Sequence, residues 1–84
     1  MTSSIRIKIL ERLASRLEIF DIKSTEINDK FDLVKSGLVN SMEFVELVAG
    51  LEEDLGIQID YEKALSEEDF TTMRGIIRNF EKQL

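Results

Sequence analysis

Three stretches of the chain place apolar residues at intervals of three and four, which is the spacing of one face of an α-helix. In residues 4–19 the repeating positions are Ile5, Ile9, Leu13 and Leu17, with Leu10 beside them. In residues 41–55 they are Phe44, Leu47, Val48, Leu51 and Leu55. A third set follows a helix cap at Thr71 or Thr72 and comprises Met73, Ile76, Ile77 and Phe80. The pattern predicts three amphipathic helices, each with one buried face.

The segments between these helices lack a sustained period. Residues 20–39 are rich in turn-forming side chains and predict a long loop with a short helical turn around 25–29. We expect its apolar residues to anchor it to the core; they are Ile27, Phe31, Leu33, Val34 and Leu38. Residues 57–61 alternate apolar and polar side chains, but no second strand is available to pair with them, so an extended loop is predicted there. A short helix is expected over residues 62–66.

These elements predict an all-α fold, a small four-helix bundle with three longer helices, one short helix and a long first loop. The 84 residues are enough for one domain, residues 1–84, without a disulfide or a metal to hold it together. The side chains expected at the centre of the core are Phe44, Leu47, Leu51, Ile76 and Phe80.

The second helix carries an additional strip of apolar side chains, Met42, Val45 and Ala49, at three-and-four spacing. The acidic residues that flank this strip are Glu43, Glu46, Glu52 and Glu53. One interpretation is that the strip only broadens the buried face. The other is that it forms a small exposed apolar surface with an acidic rim, which suits transient docking to other proteins.

The composition excludes several kinds of chemistry. The chain contains no Cys and no His, so disulfides, thiolate or imidazole metal sites, and Cys or Ser/His nucleophilic catalysis are ruled out. Its Asp and Glu residues lie on polar helix faces, and no pair is set in apolar surroundings that would mark an acid/base couple. We therefore expect neither a catalytic site nor a metal site, and the chain is not expected to be an enzyme.

The net charge of −6 argues against nucleic acid as a partner, because nucleic-acid affinity depends on clustered Lys and Arg. Basic protein surfaces are the natural complement. The Lys and Arg residues of the first helix are interpreted as a solvated face and not as a binding patch. No apolar stretch is long enough to span a bilayer, and the N-terminus does not resemble a signal peptide. A cytoplasmic monomer is the expectation.

The start of the second helix holds the most informative motif, Gly37-Leu38-Val39-Asn40-Ser41-Met42. Asn40 is predicted to be the N-cap, with Glu43 at the N3 position to complete a capping box. Ser41 then points outward from the first turn. A serine near a helix start is common for structural reasons alone, so the motif by itself does not identify a function.

The surroundings of this motif resemble the acyl carrier protein family, in which a serine at the start of the second helix carries a phosphopantetheine arm. The resemblance covers residues 31–82 and includes the Gly37-Leu38 turn, the Glu-rich helix, the Gly56–Asp60 loop and the Phe70–Met73 helix start. It implies the acyl-carrier bundle, a covalent 4'-phosphopantetheine on Ser41, and a thioester-linked acyl or aminoacyl cargo delivered between enzymes. The motif itself looks like that of D-alanyl carrier proteins and discrete carriers paired with ligases.

The resemblance also implies partners and contact residues. A phosphopantetheinyl transferase is expected to contact Asn40, Met42 and Glu46. Val45, Glu52 and Glu53 are expected to serve wider docking to a loading ligase and to downstream acyltransferases or synthases of a fatty-acid, polyketide or ligase-dependent pathway.

One position departs from the family pattern, which has Asp where this chain has Asn40. Asn caps a helix as well as Asp does, so the lost charge is expected to lower the efficiency of modification and not to alter the fold. The competing hypothesis is an unmodified helical adaptor that binds partners through its acidic second helix.

Overall fold

A computed structural model describes residues 4–84 and contains four α-helices and no strand within that range. The helices are α1 (Ser4–Ile19), α2 (Ser41–Leu55), α3 (Tyr61–Leu65) and α4 (Met73–Glu81), and a single 3-10 turn lies at Ser24–Glu26. The all-helical prediction of three longer helices and one short helix is confirmed. α3 begins one residue earlier than predicted, and the turn in the long loop also lies slightly earlier than predicted.

Local sequence explains where the helices begin and end. The side chains of Asp60 and Thr72 accept hydrogen bonds from the backbone N–H groups of Lys63 and Gly75, which caps α3 and α4. Of the two threonines considered as the α4 cap, Thr72 is the one used. α2 ends as predicted at Gly56, which adopts the left-handed conformation at φ 64° that glycine accepts most readily.

The core lies where α1 packs against α2 and α4. The five side chains predicted for its centre are all buried, and Leu51, Ile76 and Phe80 are fully inaccessible to solvent. Phe70, which the helical pattern did not include, is also buried and makes edge-to-face contacts with the rings of Phe44 and Tyr61 at centroid distances of 5.3 and 5.6 Å. Other residues expected to be buried lie at the edge of the core and are half-buried, namely Phe31, Val34, Leu55 and Ile77.

The long loop, residues 20–40 and called loop 1 below, is fastened to the start of α4 by backbone hydrogen bonds. The Leu33 N–H donates to the Thr71 carbonyl at 2.9 Å, and the Met73 N–H donates to the Phe31 carbonyl at 3.0 Å. Ile27, Leu33 and Leu38 are buried, as expected for anchors. A loop of this length is therefore held in one place, and it ends directly at α2.

A polar network holds the segment after α3 against α4. The Arg78 guanidinium donates hydrogen bonds to the carboxylates of Glu67 and Asp69, and the Asn79 amide donates to Glu67 at 2.9 Å. The hydrogen bonds from Arg78 and then Asn79 lower the pKa of Glu67 to about 2. Because the folded pKa lies below the ordinary value of 4.5, the contribution of this carboxylate to stability is present at neutral pH. It is lost as the pH falls from about 4.5 towards 2.

None of the helices within residues 4–84 combines the length and the apolarity that crossing a bilayer requires.

Candidate functional site

Ser41 is the first residue of α2, and its side chain is exposed. The capping box predicted around it is present: the Glu43 N–H donates to Asn40 Oδ1 at 2.8 Å, and the Asn40 N–H donates to Glu43 Oε1 at 2.9 Å. Ser41 Oγ makes no hydrogen bond with any residue in the described part of the chain, so its hydroxyl is accessible and is not used to hold the fold together.

Glu43 also links the start of α2 to α1. Its second carboxylate oxygen forms an ion pair with the guanidinium of Arg16. The Glu43 carboxylate therefore serves the cap and the contact between helices at once. As a result, the negative charge of Glu43, two residues from Ser41, is compensated by Arg16.

The second apolar strip of α2 faces solvent. The exposed fractions are 73% for Met42 and 48% for Val45, and Ala49 is exposed as well. The buried face of α2 is formed instead by Phe44, Leu47, Val48 and Leu51. The interpretation that the strip only broadens the buried face is therefore wrong, and the strip is an exposed apolar surface. Its use in docking stays a prediction.

The acidic residues beside this strip differ in their surroundings. Glu46 and Glu53 are exposed and form no salt bridge with the described residues. Glu52 is half-buried, and its Oε2 accepts a hydrogen bond from the Ile59 N–H at 3.0 Å. Glu52 thus has a structural task, which is to hold the loop after α2. Glu46 and Glu53 are the members of the predicted docking set whose charge is turned to solvent.

The basic side chains of α1 make ion pairs, which the sequence pattern did not reveal. Arg12 donates to both carboxylate oxygens of Asp54 at 2.7 and 3.0 Å, and this hydrogen bonding holds the pKa of Asp54 below its usual range. Arg6 and Arg16 pair with acidic residues of loop 1 and α2. The interpretation of α1 as a surface face stands, but its positive charge is largely compensated. The arginines of α1 pair with other acidic residues, and none of them forms a salt bridge with Glu46 or Glu53.

A cleft of about 230 Å³ lies between α1 and α2, beside the place where the two helices are in contact. Its lining residues are Arg12, Leu13, Ser15, Arg16, Val39, Glu43, Glu46 and Leu47. Ser41 is not among them. The accessible lining is mostly polar and carries charges of both signs, so the cleft does not select one sign of ligand.

Among residues 4–84, no side chain is hydrogen-bonded to the hydroxyl of Ser41. No His, Cys, Asp or Glu side chain accepts a hydrogen bond from its hydroxyl within residues 4–84. The same range contains no group of three such side chains placed to hold a metal ion.

Comparisons with known proteins do not identify a family or a function for this chain. Models of protein families, curated proteins and solved structures were all searched, and none of them matches this chain. The likeness to acyl carrier proteins is thus carried by the motif around Ser41 and by the order of the elements, and the function it implies is a proposal.

Proposed function

We propose that the chain is an acyl or aminoacyl carrier protein whose Ser41 Oγ receives 4'-phosphopantetheine from coenzyme A. The observation that carries the proposal is the state of this hydroxyl. It lies at the first residue of a capped helix, it is exposed, and no described residue engages it. The proposal describes a cytoplasmic monomer that passes its cargo between enzymes and catalyses no reaction itself.

The residues around Ser41 fit a phosphodiester at that position. The N–H groups of Ser41 and Met42 lie in the first turn, where a helix provides no backbone acceptor, and the described residues provide no other acceptor for them. The positive end of the helix dipole favours an anion there by roughly 0.3–1 kcal/mol. The carboxylate of Glu43, in the same turn of the helix, is already paired with Arg16. A phosphate on Ser41 would therefore have unpaired backbone N–H donors in the same turn, beside a carboxylate whose charge is compensated.

The transfer step balances without any further reactant. Ser41 Oγ forms an ester bond to the phosphorus of the pantetheine phosphate, and the pyrophosphate linkage of coenzyme A breaks. Adenosine 3',5'-bisphosphate leaves, and the serine proton passes to a base of the transferase. When bound, the arm supplies a thiol that carries the cargo as a thioester, so the lack of Cys in the chain is no obstacle.

Partner recognition is proposed to use the exposed strip and the two solvent-facing carboxylates. Met42 and Val45 offer a small apolar contact, and Glu46 and Glu53 attract basic surfaces. A contact of this size favours fast association and fast release, as handover between a loading ligase and later acyltransferases or synthases requires. Glu52 is expected to contribute less than these residues because its carboxylate already binds the Ile59 N–H.

The proposal is tested by transfer of the arm. Incubated with coenzyme A, Mg²⁺ and a broad-specificity phosphopantetheinyl transferase, the chain is expected to gain the mass of one phosphopantetheine. Ser41→Ala is expected to gain none. Asn40→Asp keeps the cap and restores a charge beside Ser41, so it is expected to be modified faster than the parent. Intact-mass measurements over a time course give all three results.

The same experiment separates the carrier from the adaptor. If the parent stays unmodified while Asn40→Asp is modified, the chain has a carrier fold without an arm, and the adaptor hypothesis replaces the carrier. If neither is modified although both are folded, the presentation of Ser41 does not suit a transferase.

Charge reversal on α2 is expected to slow association with the transferase. Glu46→Lys combined with Glu53→Lys should lower the association rate by roughly tenfold at low salt, because electrostatic steering contributes factors of this size or more. The difference should shrink as salt is added, since the Debye length falls to about 10 Å at 0.1 M and about 3 Å at 1 M. Stopped-flow association rates at several salt concentrations measure the effect.

The matched control is Glu62→Lys combined with Glu68→Lys, which reverses two exposed charges in α3 and in the segment after it. It should leave association nearly unchanged. Equal slowing by the control and by the α2 reversals would mean that net charge, and not this surface, governs the encounter.

A further inference from the structure

The carboxylate of Asp32 joins loop 1 to the segment that precedes α4. Its Oδ2 accepts a hydrogen bond from Thr71 Oγ1 at 2.8 Å. Its Oδ1 accepts hydrogen bonds from the backbone N–H groups of Val34 at 3.0 Å and Lys35 at 2.8 Å. One half-buried side chain thus closes a turn within loop 1 and fixes that turn to a residue 39 positions away.

Backbone hydrogen bonds reinforce this junction. Asp32 and Thr72 form an isolated antiparallel bridge, and the Arg74 N–H donates to the Asp29 carbonyl at 2.9 Å. Because α4 is packed into the core through Ile76 and Phe80, the start of α4 is a firm support. Loop 1 is therefore anchored at Asp32 by the segment that precedes α4.

The junction connects directly to the start of α2. The Val39 N–H donates to the Leu33 carbonyl at 3.0 Å. Leu33 directly follows Asp32, and Val39 directly precedes the N-cap residue Asn40. Leu38 and Val39 are buried, so Asn40 is the single residue between the anchored part of loop 1 and Ser41. The turn at Asp32 is thereby connected to the capping box through Leu33 and Val39.

We infer that Asp32, held by Thr71, is a positioning residue for Ser41 that keeps the start of α2 in the conformation a transferase binds. The effect on the transferase rests on the proposed function. The restraint of the start of α2 by Asp32 and Thr71 does not depend on it. Helix ends and loops open locally at low cost unless something holds them. A transferase that requires one conformation binds with an affinity reduced by the fraction of molecules that lack it.

The direct test is amide hydrogen exchange of Thr71→Val, which removes the hydroxyl donor and keeps a side chain of similar shape. Loss of one hydrogen bond is expected to raise the exchange of the Val39 and Glu43 amides about fivefold relative to the α1 amide of Leu13, which corresponds to about 1 kcal/mol. Asp32→Ala, which removes all three hydrogen bonds, should raise it further.

Two control variants distinguish positioning from a general loss of stability. Thr71→Ser keeps the hydroxyl and should restore the parent exchange rates at Val39 and Glu43. Glu67→Gln weakens the Arg78 network next to the same segment and has no hydrogen bond to loop 1, so it should leave both rates unchanged relative to Leu13. Unchanged rates in Thr71→Val, or an equal rise at Leu13, Val39 and Glu43, would overturn the inference.

Transferase kinetics give the functional consequence. Thr71→Val should raise the KM for the carrier in proportion to the fall in the fraction of molecules whose α2 start is closed, and it should leave kcat unchanged because the bound complex is the same once formed. A fall in kcat with KM unchanged would overturn the positioning role. If even the parent is never modified, the proposed function fails, and the exchange measurements still decide whether Asp32 and Thr71 hold the start of α2.

Discussion

Replacing Gly75 with alanine is expected to destabilise the fold by about 3 kcal/mol, at the upper end of what overpacking costs. Gly75 lies in α4 where the helix crosses the backbone of the preceding segment. A Cβ at this position would overlap the Asp69 carbonyl group and come within 2.8 Å of Phe70 Cα. These are backbone atoms that cannot rotate away, so α4 must shift and the packing of Phe70 must loosen.

Urea unfolding of the variant measures this change, and Gly50→Ala is the matched control. The three atoms nearest to a Cβ at Gly50 belong to the end of the Arg12 side chain, which can move aside at the cost of its exposed pairing with Asp54. Alanine in a helix interior is also favoured over glycine by roughly 1 kcal/mol, so the control should lie within about 1 kcal/mol of the parent. Equal losses in the two variants would show that close backbone approach is not what requires glycine in α4.

Leu51→Ala is expected to cost about 2–5 kcal/mol of unfolding free energy, because truncation removes a buried isobutyl group and leaves a cavity. Leu51 is fully buried on the inner face of α2. Val45→Ala removes methyl groups from the exposed face of the same helix and should change stability by less than about 0.5 kcal/mol. Chemical denaturation of both variants compares the two faces. A loss well under 1 kcal/mol for Leu51→Ala would mean that the inner face of α2 is wrongly assigned.

The parts of the fold that could be predicted are those whose physical cause is local in sequence. The three-and-four spacing of apolar residues placed α1 and α2 at their observed bounds. The capping box of Asn40 and Glu43 needs only residues three apart, and the left-handed end of α2 needs only Gly56. For the same reason, the exposure of Ser41 followed from its place in the first turn.

The parts that escaped prediction depend on residues far apart along the chain. The Arg12 and Asp54 pair spans 42 positions, and nothing local to either residue selects the other. The structural use of Glu52 depends on where the loop after α2 returns, so the sequence alone grouped it with Glu46 and Glu53. Whether Met42 and Val45 faced the core or solvent was likewise open until the position of α1 was known.

Site-localised mass spectrometry of the modified chain tests most directly whether the presentation of Ser41 makes this protein a carrier. After treatment with coenzyme A and a transferase, proteolysis and fragmentation should place the single phosphopantetheine on Ser41. Five other serines are also exposed and serve as internal controls that should carry none, namely Ser4, Ser15, Ser24, Ser36 and Ser66. An unmodified Ser41, or an arm found on any other serine, would contradict the proposal that the capped start of α2 is the attachment site.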